Sequence, residues 1–212
     1  MAPSNLPMNK ATPDVILAAP HLQVRNIALT LFAEQGYQSV SLRKLASALG
    51  IQAGSLYNHI ACKQDLLFEL IDEHESDLLD ALETSVLRNA KPLEKLLAYI
   101  RAHIDFNVGH AHRRSIAQLE FRNLSPSQQR VILTTRQMQT NILSNIVNQG
   151  IQQNAFNPIQ FKATETLLLA MLNEAAFMIS TDRSAALDDT IYSLQKIITA
   201  LLRTDSTKIK LS

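Results

Sequence analysis

The chain has 212 residues, 46% of them hydrophobic and 18% charged, with a formal net charge of +1, which excludes a disordered chain and fits one domain or two small ones. Its single cysteine, Cys62, excludes an internal disulfide and a multi-cysteine metal framework. No apolar run of ~18 residues marks a membrane span, and no basic-then-apolar opening marks a secretory signal, so a cytoplasmic protein is expected. Charge is uneven: residues 1–64 carry +3 and the remainder −2. A basic front on an acidic body is the sign expected of a polyanion-binding end.

Few glycines and aromatics beside many Leu, Ala, Ile and Gln predict an all-α chain. Residues 1–20 hold four of the seven prolines, show no sustained period and read as a flexible arm. His21–Gln35 places Val24, Ile27, Ala28, Leu31 and Phe32 on one helical face. Ser41 caps a short helix with Leu42, Leu45, Ala46 and Leu49 inward, and Ala53–His59 reads as a second short helix. Lys63 to about Leu87 is a long helix with Leu66, Leu67, Leu70, Leu78 and Leu82 on its seam. Further helices are expected at about 92–108, 110–123, 126–153, 158–181 and 185–203, nine in all. Ser125-Pro126-Ser127-Gln128 supplies an N-cap, a first-turn Pro and a capping-box Gln, and Asn157-Pro158 repeats the cap-then-Pro pattern. Gly36, Gly50, Gly109 and Gly150 read as helix stops.

Two short helices around Gly50-Ile51-Gln52 have the makings of a helix-turn-helix. Such a motif needs a small residue at the crossing, a Gly to reverse the chain and apolar residues to lock the angle. Ala46, Gly50 and the set Leu45, Leu49, Ile51 and Leu56 meet those needs. The second helix then offers Gln52, Ala53, Ser55, Tyr57, Asn58 and His59, small or hydrogen-bonding groups suited to a major groove. Gly54 suits close approach of its backbone to DNA or to a partner helix. Arg43, Lys44 and Lys63 flank the motif within reach of phosphates, Lys44 reading better as a solvated charge. The plainer alternative is that Tyr57 and His59 only close a small three-helix core.

Arg25 to about Leu70 resembles the DNA-binding domain of the tetracycline-repressor (TetR) family. The resemblance rests on Ala28, Phe32, Gly36, Tyr37, Val40, Ser41, Leu42, Ile51, Gly54, Ser55, Leu56, Tyr57, His59, Lys63, Leu66 and Leu67. The string Gly54-Ser55-Leu56-Tyr57-Asn58-His59, followed by Lys63 and Leu66, is its most specific part. Ile60 stands where the family usually has Phe, and Cys62 where a small polar residue is common. The resemblance implies backbone contacts from Ser41, Arg43, Tyr57, His59 and Lys63, with Gln52, Ala53 and Ser55 near base edges and Asn58 on the same face. It implies a helix-turn-helix domain over 21–66 and a ligand-binding, dimerising helical domain over 67–212.

In that body the segments 158–181 and 185–203 are apolar on more than one face, which suits a four-helix interface between two copies. Burial of both faces within one copy is the alternative. Candidate effector contacts are His103, Phe106, Asn107, Glu120, Asn141, Asn173 and Phe177, polar or aromatic residues on the body helices. The run Leu119-Glu120-Phe121-Arg122 before Ser125-Pro126, with Arg136 and Phe156, loosely resembles a subgroup sensing fatty acyl or acyl-CoA ligands. Arg113, Arg114 and Arg122 would then meet phosphates, although surface ion pairs explain them as well. His103, His110 and His112 read as surface histidines, since the spacing of the first two is too long for one metal ion, and no metal or other cofactor is expected. Cys62 beside Lys63 reads as a packing residue, with a redox switch as the alternative.

The expected function is a sequence-specific regulator, a repressor, acting on a palindromic double-stranded operator as a homodimer and modulated by a small apolar or amphipathic effector. The competing functions are a helix-turn-helix DNA binder with no effector and a helical-bundle enzyme with a hidden site. No nucleophile elbow, phosphate loop or paired acids support an enzyme.

Overall fold

Helix periodicity and punctuation are realised along the chain, and the computed structural model describes residues 20–157, 161–181 and 187–203. Of the arm expected over 1–20, residues 1–19 lie outside the described residues and Pro20 instead opens a helix; the Pro158 start and residues 185–186 also lie outside them. The described helices are α1 (Pro20–Gln35), α2 (Leu42–Ala48), α3 (Ala53–Leu56), α4 (Lys63–Leu87), α5 (Pro92–Gly109), α6 (Ala111–Leu119), α7 (Pro126–Gln152), α8 (Phe161–Thr181) and α9 (Leu187–Arg203). No strand occurs among the described residues.

Local chemistry sets most ends. Ser41 Oγ accepts from the Lys44 amide at 3.2 Å and starts α2. Gly36 and Gly50 take the left-handed φ of +79° and +70° that their turns require. Cys62 caps α4: its Sγ accepts from the Asp65 amide and its thiol donates to Asp65 Oδ2. Ser125 and Gln128 form the full capping box of α7.

Three boundaries differ from the sequence reading. The second motif helix is α-helical only from Ala53 to Leu56. Tyr57–His59 then tightens into turns, with Asn58 and His59 amides donating three residues back. The expected helix over 110–123 stops at Leu119 and ends in a 3-10 turn, Phe121–Asn123, because Glu120 turns away to bind the first domain. Gly150 is no stop. It is buried inside α7, because a Cβ there would sit 1.9 Å from the Phe156 ring.

Two apolar cores result. The first gathers Val24, Phe32, Leu45, Leu56, Leu66, Leu67, Leu70 and Ile71, and it extends past residue 66 to Ile116, Leu124 and Ile132 of the body. The second gathers Leu78, Leu82, Tyr99, Ile100, Leu143, Phe156, Leu172 and Ile198. Helix α4 belongs to both. Its buried seam runs Leu66–Ile71, then His74 and Glu75, then Leu78 and Leu82, so a polar layer separates the cores. Helices α8 and α9 bury one stripe each, including Leu168, Leu172, Ile191 and Leu194. They leave Leu167, Phe177, Met178, Ile197 and Leu201 exposed.

Gly150→Ala tests the packing. Ala is the better helix former by about 1 kcal/mol, but the Phe156 ring must move, and overpacking costs typically about 1–3 kcal/mol. The clash outweighs propensity, so chemical denaturation is expected to show a less stable protein.

Candidate DNA-contacting face and internal cavity

The motif residues divide cleanly by burial. Leu56 and Ile60 are buried and lock α3 against α1, α2 and α4. Gln52, Ser55, Tyr57 and Asn58 are exposed, as are Ser41 and Arg43. Tyr57 is 60% exposed, so it does not close the small core. Ala53, His59 and Lys63 are half-buried at the edge of the same surface. A Cβ on Gly54 would meet nothing within 4 Å, so this glycine serves no approach to a partner helix within the chain. Lys63 Nζ lies 4.0 Å from the centre of the Tyr37 ring, a cation–π contact that orients it at the start of α4. Burial lowers its pKa, against the opposing pull of Glu120.

The motif is tied to the body at two places. Arg25 of α1 bonds Glu69 at 2.9 Å and also Glu73 on α4. Glu120, at the end of α6, is buried and accepts from the Tyr37 amide at 3.0 Å and from Asn123 Nδ2 at 2.6 Å. Gln64 donates to the Asn123 carbonyl at 2.9 Å, which closes the junction. Glu120 therefore lies at this junction and does not line the cavity, because Tyr37 and Asn123 occupy its oxygens.

The polar layer of α4 opens into a cavity of about 240 Å³. His74, Glu75, Leu78, His103, Asn107, Arg114, Ala117, Gln118, Arg136, Gln139, Thr140, Leu169 and Asn173 line it, from α4, α5, α6, α7 and α8. Glu75 is 4% exposed and is held by Arg136, whose Nε and Nη2 reach its Oε1 at 2.8 and 2.6 Å. Gln139 donates to its Oε2 at 3.0 Å, and Arg136 also donates to the Ala117 carbonyl. Burial pushes the His74 pKa down to about 3, helped by Arg113, His110, Arg136 and His103. Burial pushes His103 down to about 4. Both imidazoles are neutral near pH 7.

Of the sequence candidates, the cavity brings together His103, Asn107 and Asn173. Phe106 packs instead against the His110 ring, 4.3 Å between centroids. Asn141 lies on the exposed face of α7, where Gln137 donates to it. Phe177 is exposed, with the Arg114 guanidinium 5.3 Å from its ring centre. His103 is not a surface histidine: it falls on the inward seam of α5, four residues after Tyr99. Arg113 forms a surface ion pair with Asp77 at 2.7 Å, and Arg122 is exposed. Sequence reasoning missed His74, Glu75, Gln118, Gln139 and Thr140. Among the described residues no group of three His, Cys, Asp or Glu side chains is arranged to hold a metal ion.

Two predictions follow from these contacts. Glu120→Ala strips the Tyr37 amide of its acceptor, at about 1–3 kcal/mol, and hydrogen exchange at Tyr37 should quicken selectively. For His74 and His103 the folded pKa lies below the ordinary 6.5, so stability is complete above pH 6.5. It declines as pH falls toward 4 and 3, where the unfolded chain alone takes up protons. Between pH 6.5 and 5 each histidine contributes a slope of at most about 1.4 kcal/mol per pH unit. Thermal melts should show that slope, and His103→Gln should flatten it.

The chain matches two family models, "Bacterial regulatory proteins, tetR family" over residues 26–70 and "Tetracyclin repressor-like, C-terminal domain" over 89–177. It is 27% identical over 132 residues to the fatty acid metabolism regulator protein of Bacillus subtilis, covering 62% of this chain and 68% of that one. It is 28% identical over 137 residues to the transcriptional repressor KstR2 of Mycobacterium tuberculosis, covering 64% and 68%. The solved structure of Bacillus subtilis FadR in complex with stearoyl-CoA shares the fold, with a TM-score of 0.71 at 22% identity over 85% of this chain and 98% of that one. An all-α chain with a helix-turn-helix at its front, matched in both parts by models of one family, belongs to the TetR family of bacterial transcription regulators.

Proposed function

We propose that the chain is a repressor that binds a palindromic operator as a homodimer and is modulated by an amphipathic acyl ligand held in its body. The surface over residues 52–59 carries the reading. Tyr57, Gln52, Ser55 and Asn58 stand exposed there around an open Gly54, beside Ser41 and Arg43. An exposed tyrosine among small hydrogen-bonding groups, on a motif sized for the major groove, suits phosphate and base-edge contact. Backbone contacts are assigned to Ser41, Arg43, Tyr57, His59 and Lys63, and base-edge contacts to Gln52, Ala53 and Ser55, with Asn58 beside them.

The exposed stripes of α8 and α9 support the homodimer. Leu167, Phe177 and Met178 fall on one helical face, and Ile197 and Leu201 on another. Two copies joined there give the two-fold symmetry that a palindrome requires. The acyl class is supported by the relatives, which include a fatty acid metabolism regulator and a FadR solved in complex with stearoyl-CoA. An effector changes operator affinity only through unequal affinity for the DNA-competent and DNA-incompetent states. The cavity adjoins α4 and α6, the helices nearest the motif, which suits that coupling.

Selection from random duplex DNA at ~150 mM salt, where non-specific phosphate contacts are weakened, should enrich a palindrome. Tyr57→Ala should weaken that complex by about tenfold, the order of one lost backbone contact, and leave the melting temperature unchanged. No enrichment by the folded dimer, with or without acyl ligands, would overturn the reading.

A further inference from the structure

The cavity has a charge balance that its own residues do not close. Glu75 is neutralised by Arg136 at 2.6 Å. His74 and His103 are buried and neutral. Arg114 is only 6% exposed, yet no carboxylate lies within ion-pairing distance of it among the described residues. Its Nη1 and Nη2 donate to the neutral acceptors Gln118 Oε1 and Ser180 Oγ, each at a long 3.3 Å. Among the described residues its Nε has no partner, nor does Nδ1 of His74 or of His103. Glu174 is exposed and acts on Arg114 only through space.

A buried guanidinium without a counter-charge is strongly disfavoured, as are buried polar atoms without partners. Around one cavity, Arg114 thus presents a cationic donor and the two imidazoles present polar nitrogens that a ligand can meet. The other charges near the cavity are already matched, Arg136 by Glu75 and Arg113 by Asp77, which leaves Arg114 as the guanidinium without a carboxylate among the described residues. Size restricts the ligand: about 240 Å³ lies below the usual range of about 300–1,000 Å³ for drug-sized ligands. Leu78, Ala117 and Leu169 add an apolar wall.

We infer that this cavity binds a compact organic acid, its carboxylate paired with Arg114 and its short chain lying against Leu78, Ala117 and Leu169. The inference rests on the reading of the body as effector-binding and names the chemical group that the body recognises. Carboxylate and guanidinium pair with matched geometry, which a neutral amide of the same shape does not reproduce. An acyl chain could bring an anionic group in two forms, as the free acid or as a thioester carrying phosphates. The cavity's small volume favours the free acid.

Calorimetric titration of the full chain with butyrate, hexanoate and octanoate, their primary amides and hexanoyl-CoA tests this. The acids should bind at least about tenfold more tightly than the amides, the order expected of a charge-assisted pair. Arg114→Gln should erase that preference while melting no lower than the wild type, because it removes an uncompensated charge. Leu169→Phe, which fills the cavity and leaves Arg114 in place, should also abolish acid binding. Equal binding of acids and amides, or acid binding unchanged in either variant, would overturn the site. Arg114-dependent binding of hexanoyl-CoA alone would overturn the carboxylate in favour of a phosphate. Acid binding with no effect on operator DNA would retain the site and sink the effector reading. Operator release by an acyl thioester in wild type and Arg114→Gln alike would do the reverse.

Discussion

The Glu75–Arg136 pair organises the body of this protein. A carboxylate buried to 4% exposure is tolerable only when its lone pairs are occupied and its charge is matched. Arg136 supplies the charge and two of the bonds, and Gln139 supplies a third. Both donors come from α7, spaced three residues apart, so the pair fixes the rotation of α7 against α4. Gln139 also donates to the Glu75 carbonyl at 2.8 Å, and Arg136 to the Ala117 carbonyl at 2.8 Å. Helices α4, α6 and α7 are thereby keyed at one level. Purely apolar seams would tolerate several registers; a satisfied polar layer selects one.

Helix α4 carries this key between two apolar cores. Its Leu66, Leu67, Leu70 and Ile71 belong to the motif core, and its Leu78 and Leu82 to the body core. Among the described residues, the buried side-chain atoms without a hydrogen-bond partner all fall in the layer between them. Arg114 and two histidines have unpartnered atoms there. Helix α6 leads from the same layer, through Arg114 and Ala117, to Glu120 and the Tyr37 amide. Anything that repositions α6 acts on the turn between α1 and α2, and anything that repositions α4 acts on Lys63 and the end of the motif. Two mechanical links therefore leave one layer for one domain.

The sequence made the helices and the motif legible because both rest on local rules. Ser41, Ser125 with Gln128, and the positive-φ glycines at 36 and 50 announce their ends within a few residues. Gly150 misled because its reason is tertiary: the Phe156 ring occupies the space of a Cβ. The break after Leu119 was hidden for a similar reason, since the partner of Glu120 lies 83 residues away at Tyr37. Most of the cavity was also hidden, although part of its signal was present. The seam Leu70, His74, Leu78, Leu82 advances by four at each step and is polar at one. Tyr99, His103 and Asn107 advance the same way on α5. A polar residue on an otherwise apolar seam, repeated on a neighbouring helix, is the pattern that a buried polar layer leaves. Which arginine lacks a carboxylate cannot be read from spacing, because it depends on how four helices meet.

Local inconsistency in a stable fold tends to mark function. Here it occurs at two places joined by α4. At one, a large aromatic residue, Tyr57, is left in solvent although Ile60, three residues on, is buried. At the other, a guanidinium is buried although solvent-exposed sites on α6 were available to it. Neither placement stabilises the isolated chain. Tyr57 forgoes burial of its ring, and Arg114 forgoes hydration without gaining a counter-charge. Partners of one kind would meet both groups: a phosphate oxygen would accept from the Tyr57 hydroxyl, and a carboxylate would supply the charge that Arg114 lacks. The same chain would then be completed by negative charge before the start of α4 and again beside its middle, where His74 and Glu75 meet the cavity. The two sites differ in scale: the outer face is open and can follow a duplex, while the inner one is closed around a small volume.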